Sequence, residues 1–225
     1  MKFITILLKW VLVTASMLIS SLAHTETSVH TNKEKILVLG DSISAGLGVT
    51  PELAWVKQFS QPMQTQYRLQ VINASVSGET SSGGRNRLPS LLKLHQPRFV
   101  IIELGGNDGL RGISTKTIDA NLQDMIRQSR AAGAQVLLLG MRIPSSYGAR
   151  YGEDFAAVYP RLASRNAVPL VPFLLEQIAL DPSQMQADKI HPNDKGQAQI
   201  LRNVMTVFEA SFKHTRQNKT TIDRQ

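Results

Sequence analysis

The chain has 225 residues, 42% of them hydrophobic and 19% charged, with no cysteine and a formal net charge of +8. That length and composition suit one α/β domain and set aside collagen, coiled coil and long disorder. The absent cysteine excludes a disulfide, a thiolate zinc site, a cysteine nucleophile and a lipid-bearing N-terminal cysteine, while a pI near 9.9 raises nucleic acid or an anionic membrane as partners.

Residues 1–23 read as a signal peptide. Lys2 and Lys9 accompany an apolar run over 11–22 that Thr14, Ser16, Ser20 and Ser21 interrupt. Ser21 and Ala23 are the small residues expected before a cut after Ala23. The run is short for a span of ~20 residues, so the expected product is exported, periplasmic or secreted, with no stable membrane anchor after cleavage. A polar linker, 24–33, precedes a domain over 34–212, and a basic tail, 213–225, is expected to be disordered. The charge divides along the same lines. Two lysines lie in the leader, and the tail holds Lys213, Arg216, Lys219 and Arg224 against Asp223. Within the domain the basic residues, among them Arg85, Arg87, Lys93, Arg98 and Arg111, are scattered and form no stripe that tracks a phosphate backbone, so no nucleic acid is expected.

Five short runs rich in Val, Ile and Leu, at 35–40, 69–73, 98–104, 135–140 and 168–171, predict strands buried on both faces. Helical segments are predicted over 52–66, 87–95, 114–132, 154–165 and 193–212. In the last of these, Ala198, Leu201, Val204, Met205 and Phe208 recur at close to the helical period. Strand and helix alternating at this spacing predict right-handed crossovers and a parallel sheet between helix layers.

In such sheets ligands bind beyond the carboxyl ends of the strands, and the chemistry-bearing residues gather there. Gly40-Asp41-Ser42 follows the first strand, Asn73-Ala74-Ser75-Val76-Ser77-Gly78-Glu79 the second, and Gly105-Gly106-Asn107-Asp108 the third. Asp188-Lys189-Ile190-His191-Pro192 stands before the final helix. A serine hydroxyl needs a base to accept its proton, and histidine is suited to the task near neutral pH. His191 is the histidine inside the domain that adjoins another chemical motif, with Asp188 three residues earlier able to hold its tautomer. Pro192 disfavours helical backbone at His191 and so keeps it at the end of a loop. Gly78 and Asn107 taken singly read as turn residues. Beside Ser42, the backbone N–H groups of Ser42 and Gly78 and the side-chain amide of Asn107 become candidate oxyanion donors.

These four blocks, in this order, resemble the SGNH (GDSL) hydrolase superfamily, whose named residues fall on Ser42, Gly78, Asn107 and His191. Ala54-Trp55, Asn73-Ala74-Ser75, Arg87-Leu88-Pro89, the run from Glu103 to Gly112, and Tyr147-Gly148 narrow the resemblance to the bacterial periplasmic thioesterase/lysophospholipase/arylesterase group. The resemblance covers about 35–212. It implies a three-layer α/β/α, flavodoxin-like fold with a five-stranded parallel sheet in order 2-1-3-4-5. It also implies hydrolysis of acyl thioesters, lysophospholipids, acyl esters and aryl esters by a Ser42–His191–Asp188 triad, with no cofactor and no metal.

Other residues are assigned supporting roles. Asp41 and Asp108 are expected to tie their own loops, Glu103 to support the site from within a strand, and Asn73 to support the Ser42 loop. Gly109, Leu110 and Arg111, in a segment with two glycines, are predicted to move over the acyl chain. Met141, Ile143 and Pro144 are predicted to line its groove. A monomer is favoured. No G-x-S-x-G, G-x-x-x-x-G-K-[ST], G-x-G-x-x-G or H-E-x-x-H occurs. Two alternatives remain: a carbohydrate O-acetylesterase using the same blocks, which the low aromatic content disfavours, and a non-catalytic binder of an anionic membrane or polymer through the basic tail.

Overall fold

The computed structural model describes residues 34–222, with side chains through position 211. The leader, the polar linker and the last three residues lie outside it. Five strands, β1 (Lys35–Gly40), β2 (Gln70–Asn73), β3 (Phe99–Glu103), β4 (Gln135–Leu139) and β5 (Leu170–Val171), form one parallel sheet in the order β2-β1-β3-β4-β5. This is the three-layer arrangement and strand order that the resemblance implies. The central strands are buried along nearly their whole length, whereas edge strand β2 is exposed at Gln70 and Asn73. That contrast is why the central strands read as continuous apolar runs and the edge strand does not.

Eight helices accompany the sheet among the described residues: α1 (Ser42–Ala45), α2 (Trp55–Thr65), α3 (Ser81–His95), α4 (Gly106–Leu110), α5 (Thr115–Ala131), α6 (Ala149–Ala156), α7 (Val158–Asn166) and α8 (Gln197–Ile222). The chain steps from β1 outward to β2, then back across the sheet to β3, β4 and β5. Right-handed crossovers in opposite directions place their helices on opposite faces. Accordingly α2 packs with α8, while α3, α5 and α7 pack in series. Phe208 of α8 stands edge-on to Phe59 of α2, with ring centroids 5.2 Å apart, and lies 5.3 Å from Phe99 of β3. Removing so buried a ring typically costs ~3–5 kcal/mol.

Four segments differ from the sequence reading by more than two residues. The segment predicted as one helix over 52–66 begins as a 3₁₀ turn, Pro51–Leu53, because Ala54 is extended at ψ 132°. Helix α3 starts at Ser81, six residues before the predicted 87. Gly83 and Gly84 weaken the local signal, yet a Cβ at Gly84 would lie 2.2 Å from Leu104 Cδ1, so close packing on the sheet requires glycine inside the helix. The segment 154–165 belongs to two helices that meet at Ala157, since Pro160 offers no N–H to the Ala156 carbonyl. The last helix continues to Ile222 rather than ending at 212, so most of the expected disordered tail is helical; no glycine or proline interrupts 197–222.

Candidate active site

The sharp turn after β1 begins with Asp41, whose Oδ1 accepts the Ile43 N–H at 3.0 Å and caps α1. Ser42 is therefore the first residue of a helical turn, where N–H groups lack intrahelical partners. Beneath it lies Glu103, the last residue of β3 and fully buried. Its Oε2 accepts the Asp41 N–H at 3.0 Å and the Ser44 hydroxyl at 2.8 Å, so one carboxyl grips the turn on both sides of Ser42. Asn73 Nδ2 donates to the Ser44 carbonyl at 2.8 Å, the loop support expected of it. Burial pushes the Glu103 carboxyl well above the ordinary carboxylate range, and the neighbouring Asp41 adds to the rise. Burial also raises Asp41, but the Ile43 N–H, the nearby His191 and the Asn107 amide favour its charged form.

The second half of the site comes from irregular chain. His191 Nε2 lies 2.8 Å from Ser42 Oγ, and its Nδ1 lies 2.6 Å from Asp188 Oδ2. The N–H groups of Ile190 and His191 both donate to Asp188 Oδ1, at 2.9 and 3.0 Å. This turn puts Lys189 in left-handed backbone, φ 58°. Desolvation pushes the Asp188 carboxyl up, but the His191 ring and these two N–H groups outweigh it and bring it down to about 2. A carboxylate that stays ionised, bonded to one ring nitrogen, directs the other nitrogen at the serine.

Asn107, in α4, extends Nδ2 to Asp41 Oδ2 at 3.1 Å, which leaves its second amide hydrogen for a ligand. Gly78 is third in a tight turn closed by the Glu79 N–H on the Val76 carbonyl at 3.1 Å. Its φ of 78° calls for glycine, and a Cβ there would meet nothing within 4 Å. Val76 N–H donates to the Gly40 carbonyl at 3.0 Å and so brings this loop to the end of β1.

Ser42, Asn107 and His191 open onto a groove of about 580 Å³. Leu110, Met141, Ile143 and Pro144 line it, whereas Gly109 and Arg111 do not. Gly109 is buried within α4, where a Cβ would lie 2.6 Å from Ile143 Cγ2, so it is a packing position rather than a moving hinge. Arg111 turns away and donates to the Gly78 carbonyl at 3.2 Å. The far wall comes from Ile190, beside His191, and from Phe173, Leu175 and Leu180, in a stretch the sequence reading left without a role because it has neither helical nor strand period.

Two other positions escaped the sequence reading, and a third makes different contacts from those expected. Gln186 Nε2 donates to the Leu47 carbonyl at 2.8 Å and the Pro192 carbonyl at 3.0 Å, tying the Ser42 segment to the His191 loop. Asp194 accepts the Thr50 N–H and hydroxyl at 2.8 and 2.7 Å. Asp108 was expected to tie its own loop, but its carboxylate instead reaches Ser81, 27 positions earlier. Single Gln and Asp residues in irregular chain carry no pattern that marks such bonds. No group of three or more His, Asp or Glu side chains among the described residues is placed to hold a metal ion.

Comparison with known proteins adds independent findings. The model of the GDSL-like Lipase/Acylhydrolase family matches residues 38–199. The chain is similar to "Thioesterase 1/protease 1/lysophospholipase L1" of Escherichia coli (strain K12), 46% identical over 164 residues, which cover 73% of this chain and 78% of that protein. It is likewise similar to "Esterase TesA" of Pseudomonas aeruginosa, 46% identical over 172 residues, covering 76% and 86%. Among solved structures it resembles the psychrotrophic esterase EstA from Pseudoalteromonas sp. inhibited by monoethylphosphonate, with a TM-score of 0.76 and 36% identity, over 80% of this chain and 99% of that one.

Proposed function

We propose a reaction from a plain premise: the chain belongs to the GDSL-like lipase/acylhydrolase family and is an ester hydrolase. Ser42 Oγ attacks the acyl carbonyl while His191 Nε2 takes its proton. The oxyanion of the tetrahedral intermediate is held by the N–H groups of Ser42 and Gly78 and by Asn107 Nδ2. Collapse breaks the bond to the leaving oxygen or sulfur, which receives the proton from His191 and departs as alcohol or thiol. Water, deprotonated by His191, then attacks the acyl-serine and releases the acid. Asp188 keeps the imidazole in one tautomer and offsets its charge when protonated.

The observation that carries this reading is the aligned pair of contacts, 2.8 Å from Ser42 to His191 and 2.6 Å from His191 to Asp188, at the mouth of an apolar groove. The names of the relatives support acyl thioesters and lysophospholipids as substrates, and the Leu, Met, Ile and Phe lining suits an acyl chain. Phe173 is the one aromatic residue in that lining, which argues against a sugar platform and hence against the O-acetylesterase alternative. Export rests on the leader over 1–23, outside the described residues; no helix among the described residues is long and apolar enough to cross a membrane. Ser42→Ala is expected to abolish hydrolysis of p-nitrophenyl esters, a loss of at least ~10⁴-fold, with an unchanged melting temperature. Full activity in that variant overturns the mechanism.

A further inference from the structure

Two of the three oxyanion donors, Gly78 and Asn107, come from loops that follow different strands, joined at the surface by Arg111, whose guanidinium donates to the Gly78 carbonyl at 3.2 Å. Between them lies a buried polar chain. Asp108, next to Asn107 and 1% exposed, accepts the Ser81 N–H at 2.7 Å and the Ser81 hydroxyl at 2.6 Å. Ser81, fully buried, is the first residue of α3 and stands three positions beyond Gly78. Its hydroxyl oxygen accepts from Asn121 Nδ2 of α5 at 2.9 Å, and Asn121 Oδ1 accepts from Arg85 of α3 at 3.0 Å. Both carboxylate oxygens thus go to one residue on a different loop. Helix α3 also presents its positive end to the carboxylate.

We propose that Asp108 is a positioning residue for the oxyanion site: its bidentate hold on Ser81 fixes the separation between Gly78 and Asn107. This inference rests on the proposed role of those two donors. A buried carboxylate engaged by two donors is a stiff connection, because charge-assisted bonds are short and neither group has water to exchange with. Asn107 is then fixed twice, through Asp41 at its amide and through Asp108 in the backbone that carries it. Donors that act on the oxyanion are felt in the transition state rather than in substrate binding.

That asymmetry supplies the test. Wild type, Asp108→Ala, Asp108→Asn and Ser81→Ala are compared for kcat and KM on p-nitrophenyl butyrate. Each kcat is divided by the fraction of enzyme that a fluorophosphonate probe labels on long incubation, so that unfolded protein does not count. Asp108→Ala is expected to lose about 100-fold in kcat per labelled site with KM within about threefold, and Asp108→Asn, which keeps one acceptor, to recover about tenfold of that. Ser81→Ala keeps the backbone bond and is expected to lose about tenfold, and it decides the matter if Asp108→Ala does not fold. Wild-type kcat per labelled site in Asp108→Ala, or in Ser81→Ala where that variant decides, overturns the inference; a loss seen only in the labelled fraction does the same, since it marks a purely structural tie. Ser42→Ala assayed alongside keeps the two readings apart. Activity in that variant defeats the proposed mechanism, whereas an inactive Ser42→Ala beside a fully active Asp108→Ala defeats only the role of Asp108.

Discussion

Ser42 and His191 face each other across 2.8 Å, yet they are held in different ways. The serine turn grows directly from β1, and its struts are buried: Glu103 beneath, Asp41 at its start, Asn73 from the neighbouring strand. The histidine stands on irregular chain between β5 and α8. Asp188 has a side chain 44% exposed, and the loop is held by its own turn and by Gln186 and Asp194 reaching back to the segment after Ser42. Ser42 thus takes its position from the core, while His191 takes its position from hydrogen bonds near water. The serine side is expected to fail through burial and charge, and the histidine side through the loss of single bonds.

The largest effect tests the exposed half. Asp188→Asn removes the acceptor that sets the His191 tautomer and is expected to lower kcat by ~10³–10⁴-fold while leaving the fold intact. It also changes the acid limb of stability. A carboxyl held down to about 2 contributes stability above its ordinary pKa near 3.8, and that contribution is lost as the pH falls from there toward 2. Urea titrations across that range are expected to show a shallower decline in Asp188→Asn than in wild type. An equal slope in both removes the folded-state pKa from the comparison.

The buried half is tested at Glu103. Glu103→Ala leaves the Asp41 N–H and the Ser44 hydroxyl without their acceptor and is expected to lower kcat by ~10–100-fold and stability by ~1–3 kcal/mol. Glu103→Gln keeps an acceptor and is expected to hold kcat within ~10-fold of wild type. The sign of its pH effect is opposite to that of Asp188. With its folded pKa raised by burial, Glu103 contributes stability that is fully present below its ordinary pKa near 4.5 and is lost as the pH rises from there. Glu103→Gln therefore loses less stability than wild type between acid and neutral pH. Denaturation midpoints that run parallel across that range would show the carboxyl to be ionised.

The smallest effect is expected at Gln186. Its two side-chain bonds, worth ~0.5–1.5 kcal/mol each, join the two halves. Gln186→Ala is expected to cost about tenfold in kcat with a modest fall in melting temperature. No change in kcat would mean that the Asp188 turn alone suffices to aim the ring.

The two halves also differ in how legible they are in the sequence. The strands stand out as apolar runs because a central parallel strand buries both faces, and each run leads into a block with distinctive residues. The start of α3 does not stand out, because Gly84 answers to Leu104 across space rather than to its neighbours in the chain. Arg111 and Gly109 read as groove residues from their place after Asn107, yet one turns to Gly78 and the other is packed under Ile143. The wall from Phe173 to Leu180 went unread for the converse reason: irregular chain has no period, and its place beside the groove depends on where the loop folds back.

The sequence by itself determined the layered fold, the chain order of the four blocks, and the residue types able to activate a hydroxyl. Those properties follow from local pattern and intrinsic chemistry. Only the tertiary structure decided the pairings: Glu103 under Ser42, Asp108 on Ser81, Gln186 on Leu47. A hydrogen bond across dozens of residues has no periodic signature, because it is selected by the meeting of two loops at the edge of a sheet and not by the residues that adjoin either partner.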